Sequence, residues 1–198
     1  MTEMEKFYKL FRRDLKTPRL ELRVLEPTKE NAKLVWDAIK GENPADFKYV
    51  NWTPDYKKPL PESMEETLKQ MQQEEKFDIN PNGAIWYVFY KGKLIGHHGV
   101  FYFDNNRSMQ IGNVWFIKSA WGHGFNHEIQ DMLMKKAFLE LGANRLLYQC
   151  MAANERSHKS AIGSGFHLDG RIRATTHMPD GSYMDQLVFT KLASEYGK

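Results

Sequence analysis

Cysteine is almost missing from this sequence: one residue, Cys150, in 198. A lone cysteine excludes an internal disulfide and fits a reducing compartment, so a cytoplasmic location is expected. Long apolar runs are missing too, since nothing approaches the roughly 20 residues of a membrane span. The opening "MTEMEKFYKLFRRDLK" has no apolar central region and does not read as a signal peptide. Neither sign of charge dominates: 28 basic against 25 acidic residues leave +3. That balance does not imply nucleic acid by itself. Internal repeats, low-complexity tracts and linkers are also lacking, which leaves one domain over residues 1–198. What is present is core material, 41% hydrophobic and 13% aromatic residues, enough for a packed interior.

Local patterns divide the chain into elements. Phe7, Leu10, Phe11 and Leu15 recur on one face amid lysines and arginines, so residues 1–16 read as a basic helix or arm. Such a face packs on its own domain or docks on RNA or a membrane surface. "RLELRVL" alternates like a half-buried strand, and Thr28 caps a helix over "KENAKLVWDAIK". An aromatic, proline-rich loop follows over 41–61, and Ser63 with Glu66 marks a second helix to about Lys76. Lys91-Gly92-Lys93 turns a hairpin between two aromatic strands, "MQIGNVWFI" is a further strand, and a long helix runs from Asn126 to about Leu141, closed by Gly142. A strand "NRLLYQCM", a short helix "ERSHKSAIGSG" and a final hairpin about "PDGS" complete the order.

"SAWGHGFNHE" stands between a strand and the long helix. Glycine costs conformational entropy, so Gly122 and Gly124 should answer a need of the backbone or of something approaching it. Helix N-termini offer unpaired N–H groups and a positive dipole end, a natural anion site. A plain structural turn explains the pair as well. The Walker sequence is absent, and the Rossmann fingerprint fails because His127 occupies its third glycine. His123 and His127 lie four apart, but without the metalloprotease glutamate or a third ligand no metal is expected.

Taken together, "TPRLELR", "IGNVWFIKSAWGHGFNHE", "AFLELGANRLLYQCMAANERSHKSAIGSGFHLDGRIR" and "MPDGSYMDQLVF" resemble the GNAT superfamily of acetyl-CoA-dependent N-acetyltransferases, in its RimJ/RimL-like branch. The resemblance covers about Thr17 to Glu195. It implies an α/β single domain, built on a predominantly antiparallel mixed sheet of about seven strands with about four helices, splayed between the fourth and fifth strands. It implies acetyl-CoA as co-substrate, with its pyrophosphate on Trp121, Gly122, His123, Gly124, Phe125 and Asn126. Trp121 and Asn126 depart from the family's usual Gln/Arg and Gly/Ala at the two ends of that loop. The pantetheine arm would pair with backbone about Val114, Phe116 and Ile117, and Asn154 and Ser157 fill the family's Asn-x-x-Ser positions, where the Asn contacts the arm.

Acetyl transfer to an amine requires loss of an amine proton, a polarised carbonyl and a protonated leaving thiolate. The resemblance gives the last task to Ser157; read alone, Asn154 is a helix cap and Ser157 a first-turn residue. Cys150 is a rival, as nucleophile or as a small buried hydrophobe. Met109, Gln110 and Ile111 supply no glutamate where many relatives have a base. His97 and His98 face opposite sides of one strand, so one could face the cleft, with His98 taken as the catalytic candidate. His177 and Asp185, together with the aromatic loop residues Tyr49, Trp52 and Tyr56, are assigned to the acceptor groove. Glu62, Glu65 and Glu66 would favour a cationic amine there. The partners expected are acetyl-CoA and a primary amine, either a protein N-terminus or a small molecule such as an antibiotic or polyamine. A homodimer is open, and a non-catalytic acyl-CoA-binding domain is the other class.

Overall fold

The computed structural model describes residues 1–50, 59–79, 82–178 and 180–197. Five α-helices and eight strands alternate in it. The strands follow the order β1-β2-β3-β4-β5-β6-β8-β7, in a mixed sheet. The sequence count falls short by one strand and one helix: the two-residue strand β1 (Leu15–Lys16) carries no alternation to read, and the pattern of residues 1–16 fits a helix or an arm alike. The N-terminal helix α1 spans Glu3–Phe11, so Leu15 belongs to a strand rather than to its apolar face.

Two compact units emerge. One holds Phe11–Gly99 and Asn113–His123. In it β1 pairs antiparallel with β2 (Leu20–Arg23), and β2 with β3 (Gly83–Tyr90). The alternation of "LELR" buries Leu20 and Leu22. Thr28 caps α2 (Lys29–Ile39) by accepting from the Asn31 amide at 3.2 Å. Ser63 Oγ accepts from the Glu66 amide at 3.1 Å at the start of α3 (Met64–Ile79). The return half of that box shifts by one residue, since Glu66 accepts from Glu62 N instead of the cap's own N–H. Lys91 and Gly92, both at positive φ, make the two-residue turn from β3 into β4 (Lys93–Phe103). Ala32, Val35, Ile39, Phe47, Met71 and Phe89 anchor the core of this unit.

The other unit holds Met1–Leu10, Val100–Gly112 and Gly124–Lys198. Here β5 (Ser108–Phe116) runs parallel to β6 (Arg145–Met151) only from Ser108↔Arg145 to Ile111↔Tyr148. β6 pairs antiparallel with β8 (Tyr183–Leu192), whose far side takes the largely exposed edge strand β7 (His167–His177). α4 (Phe125–Lys135) buries Phe125, Ile129, Leu133 and Met134, and continues as a π-helical turn over Lys136–Leu141 before Gly142 closes it at φ 82°. Phe7 stacks on Tyr102 with ring centres 5.5 Å apart. Since Phe7 and Phe11 are both 0% exposed, the apolar face of α1 is committed to the protein's own core.

Candidate active site

Between β5 and α4 the chain makes a 3-10 turn over Lys118–Ala120 and then runs through Trp121-Gly122-His123-Gly124. The Trp121 indole N–H donates to the Phe116 carbonyl at 2.7 Å, and Arg19 Nη1 donates to the His123 carbonyl at 3.1 Å, tying the loop down on both sides. Gly122 sits at φ 77° and Gly124, the residue before α4, at φ 74°, ψ 9°. A Cβ on Gly122 would meet open space, so the demand there is conformational rather than steric. The amides of Asn126 and His127 belong to the first turn of α4, which has no intrahelical acceptors. Asn126 does not swing over this turn: its Nδ2 donates to Ser160 Oγ at 2.8 Å, on α5 (Glu155–Gly163). His127 Nδ1 lies 2.7 Å from Ser164 Oγ, which in turn donates to Gln130 Oε1. The ring nitrogen is therefore the donor, in a polar seam between α4 and the end of α5.

On β5, residues alternate in the direction of their backbone groups. Ile117 N donates to Ile95 O of β4 at 2.9 Å, and the Trp115 carbonyl also lies on the β4 side, 2.5 Å from where a Gly96 Cβ would stand. The Val114 and Phe116 groups face away from β4, and the Phe116 carbonyl there already holds Trp121.

A second cluster lies where β6 leads into α5. Asn154 Oδ1 accepts from the Ser157 amide at 3.2 Å, the helix cap that the sequence alone suggested. Ser157 Oγ is 2.8 Å from the Tyr148 hydroxyl. Tyr148 and Cys150, two apart on β6, share the face on which α5 packs. Burial pushes the Cys150 thiol up, partly offset by Ser157, and burial likewise pushes Tyr148 to about 12. Asn154, Ser157 and Cys150 thus stand about the junction of β6 and α5, and Tyr148 is a neighbour of Ser157 that the sequence did not single out.

The third cluster is on β4. His97 Nδ1 is 2.7 Å from the Asn113 carbonyl, and Nε2 stands 3.3 Å from Glu74 Oε2 of α3, an ionic contact rather than an aligned hydrogen bond. Glu74 also accepts from Tyr87 Oη at 3.1 Å and from Gln70 Nε2 at 3.0 Å. Burial drives His97 down, but the Glu74 charge and the hydrogen bonds outweigh it and leave His97 raised. Burial drives Glu74 up, but the His97 charge and the donated hydrogen bonds leave it lowered. With oxygens near both ring nitrogens, the surroundings of His97 favour its charged form. Thr67, Gln70, Glu74, Tyr87, His97 and Trp115 line a cavity of about 20 Å³, room for about one water-sized group. His98, named from the sequence, is equally buried, yet it is His97 that holds the carboxylate. The missed signal was on α3: Thr67, Gln70, Met71 and Glu74 form a helical stripe that carries polar groups inward.

Tyr49 is half-buried with the Lys48 ammonium 5.0 Å from its ring centre, while Trp52 and Tyr56 lie outside the described residues. His177 is exposed beside Tyr183, ring centres 5.1 Å apart. Asp185 is held by Arg171 Nε at 2.6 Å and by the Ala174 amide at 2.9 Å, bonds that keep its carboxyl below the usual range. No group of three or more histidine, cysteine or acidic side chains among the described residues is placed to hold a metal ion.

Residues 19–167 match the family model described as "Acetyltransferase (GNAT) domain". No curated protein matches the sequence. Among solved structures, a GCN5-related N-acetyltransferase from Brucella melitensis superposes with TM-score 0.79 at 20% identity, over 93% of this chain and 80% of that one. The microcin C7 self-immunity acetyltransferase MccE, in complex with acetyl-CoA and AMP, gives TM-score 0.73 at 20% identity, over 88% and 93%. RimL, a ribosomal L7/L12 alpha-N-protein acetyltransferase in complex with coenzyme A, gives TM-score 0.74 at 20% identity, over 92% and 99%.

Proposed function

Because the chain belongs to the GNAT acetyltransferase family and is thus an acyltransferase, we propose that it moves an acetyl group from acetyl-CoA to a primary amine, by direct attack in a ternary complex. The acceptor is a protein N-terminal amine or a small amine, and the RimL-like motif run favours the first. The observation that carries this reading is the loop of two positive-φ glycines opening onto the first turn of α4. Backbone in that shape presents consecutive amides to an anion, so Gly122 to Asn126 would take the pyrophosphate. The Asn126 side chain, held by Ser160, leaves that approach clear. Val114 and the Phe116 amide would pair with the pantetheine arm, and Asn154 Nδ2, without a partner among the described residues, is available to it.

Acetyl-CoA supplies the activated acyl group. The chain's part is to place it and to manage two protons: one leaves the attacking nitrogen as the N–C bond forms, and one arrives on sulfur as the C–S bond breaks. Ser157, in the first turn of α5, is the donor to sulfur. Of the two β4 histidines, His97 is the better placed to accept the amine proton, because the Glu74 carboxylate stabilises the charge it gains. Its raised pKa means that it accepts only once deprotonated, so kcat/KM should climb with pH to a midpoint above the ordinary 6.5 of histidine.

The test combines calorimetry with acetyl-CoA and a thiol-release assay over N-terminal peptides, polyamines and an aminoglycoside. Binding with turnover on peptides is expected, and Gly124→Val should abolish binding, since a branched side chain resists φ near 74° and blocks the phosphate approach. Unchanged affinity in folded Gly124→Val would remove the basis of the assignment. Binding without turnover on any amine would make the chain an acyl-CoA-binding domain.

A further inference from the structure

A neutral imidazole carries its proton on one nitrogen only, and the other nitrogen is the one that can act as a base. We propose that Asn113 is the positioning residue for His97: its backbone carbonyl, turned out of β5 by a left-handed backbone, keeps the proton on Nδ1 and leaves Nε2 to accept. The inference rests on the assignment of His97 as the group that takes the amine proton.

Asn113 stands at φ 52° in the interior of β5. In that conformation an L side chain crowds its own backbone, and asparagine is one of the few residues besides glycine that tolerate it. Carbonyls of a regular strand point along the sheet toward neighbouring strands, while side chains stand off its faces. A left-handed residue turns its peptide out of that pattern, as at a bulge, and the Asn113 oxygen lies 2.7 Å from His97 Nδ1. A carbonyl oxygen only accepts, so Nδ1 is the donor in the neutral and the charged ring alike. Turning the ring over would put carbons at both nitrogen positions. That would forfeit this bond together with the 3.3 Å contact of Nε2 with Glu74.

The consequence is a fixed tautomer. In water a neutral histidine carries its proton mainly on Nε2, which would leave the lone pair on Nδ1, against the Asn113 oxygen. Here the lone pair sits on Nε2, beside Glu74, and His97 and Glu74 both line the cavity with room for about one water-sized group. The ring is held at its angle as well, parallel to the Trp115 indole at 6.0 Å and edge-on to Tyr87 at 5.1 Å. Among the described residues, the titratable groups that face it are Glu74 of α3 and Tyr87 of β3. From β5 it meets the Asn113 carbonyl and the Trp115 ring, and α2 brings only Val35 and Ile39 to the cavity. His98, next on β4, alternates to the other face. The charge gained at Nε2 is thus met by the Glu74 carboxylate on one side and by the Asn113 carbonyl dipole on the other.

Nitrogen NMR reads the tautomer without turnover. In protein grown with 15N-labelled histidine, the His97 ring is identified among the 7 histidines by its loss in His97→Gln. At alkaline pH it should show a protonated Nδ1 and an unprotonated Nε2; the reverse overturns the proposal. Asn113→Gly keeps both the left-handed backbone and the carbonyl, and should keep the tautomer and the pH midpoint of kcat/KM. Asn113→Val carries a branched side chain that resists φ near 52°. It should shift the proton toward Nε2, move the midpoint down toward the ordinary 6.5 of histidine and lower kcat/KM above it about 10-fold. If Asn113→Val retains the wild-type tautomer and midpoint, the carbonyl does not hold the ring, and the proposal falls. A loss of activity with both unchanged would likewise make Asn113 merely structural. Should Asn113→Val not fold, the tautomer in wild type and in Asn113→Gly decides. A wild-type pH profile in His97→Gln would remove the base, and with it the role given to Asn113. Absence of turnover on every amine would instead sink the acetyltransferase reading, while the spectrum still decides which nitrogen holds the proton.

Discussion

In the proposed mechanism Ser157 gives up a proton and His97 takes one. Ser157 would act on a leaving sulfur, so removing its hydroxyl would affect the transition state more than the bound substrate. Ser157→Ala should lower kcat about 10- to 1000-fold and leave acetyl-CoA affinity nearly intact. A kcat within about threefold of wild type, with chemistry limiting, would reassign the acid to water or to Cys150. His97 and Glu74 also write a pH signature into stability. His97 is raised, so its contribution is full below the ordinary histidine value of 6.5 and is lost as pH rises through the raised value. Glu74 is lowered, so its contribution is full above the ordinary 4.5 and is lost as pH falls through the lowered value. A melting-temperature profile should therefore hold a plateau between those two limits and decline on both sides. Glu74→Gln should cost about 3 to 5 kcal/mol, the scale for removing one partner of a buried pair, and should erase the alkaline decline. An unchanged alkaline limb in that variant would detach His97 from Glu74.

At the scale of elements, what the sequence made legible was local. The Thr28 cap, the Lys91-Gly92 turn, the close of the long helix at Gly142 and the glycine loop before α4 each depend on a few consecutive residues, and each lies where it was expected. What could not be read depends on register between distant segments. Glu74 meets His97 only because α3 lies over β4, and Tyr148 meets Ser157 only because the β6 pleat and the first turn of α5 coincide. His98 and His97 are indistinguishable as letters; pairing with a helix separates them. Gly96 is another such case. It carries no turn signal, yet a Cβ there would lie 2.5 Å from both Phe116 Cδ1 and the Trp115 carbonyl. A backbone oxygen cannot give way as a side-chain tip can. Gly96→Ala should thus cost about 1 to 3 kcal/mol, the scale of overpacking, and weaken acetyl-CoA binding through β5. Wild-type stability with wild-type affinity would show that β4 and β5 adjust freely.

For the whole molecule, the N-terminal helix shows which of its two readings holds. Phe7 and Phe11 are fully buried, so its apolar face packs on the protein itself rather than serving as an arm for RNA or a membrane surface. Phe7→Ala should cost about 3 to 5 kcal/mol, as a large-to-small core change does, measured by denaturant unfolding. A loss below about 1 kcal/mol would return the helix to the status of an appendage. The sequence could show that α1 was amphipathic; the identity of its partner, Tyr102, belongs to a strand far along the chain. The chain alternates between the two compact units, changing unit after Leu10, Gly99, Gly112 and His123.

That alternation sets a timetable for the newborn chain. The unit that contains Phe7 also contains Tyr102 and the last strand, so it cannot close while the ribosome is still working toward them. At about 5 to 20 residues per second, Phe7 waits several seconds in water beside an emerging polypeptide. The lysines and arginines around it keep that waiting segment dispersed, a task that ends when Tyr102 arrives to cover the ring.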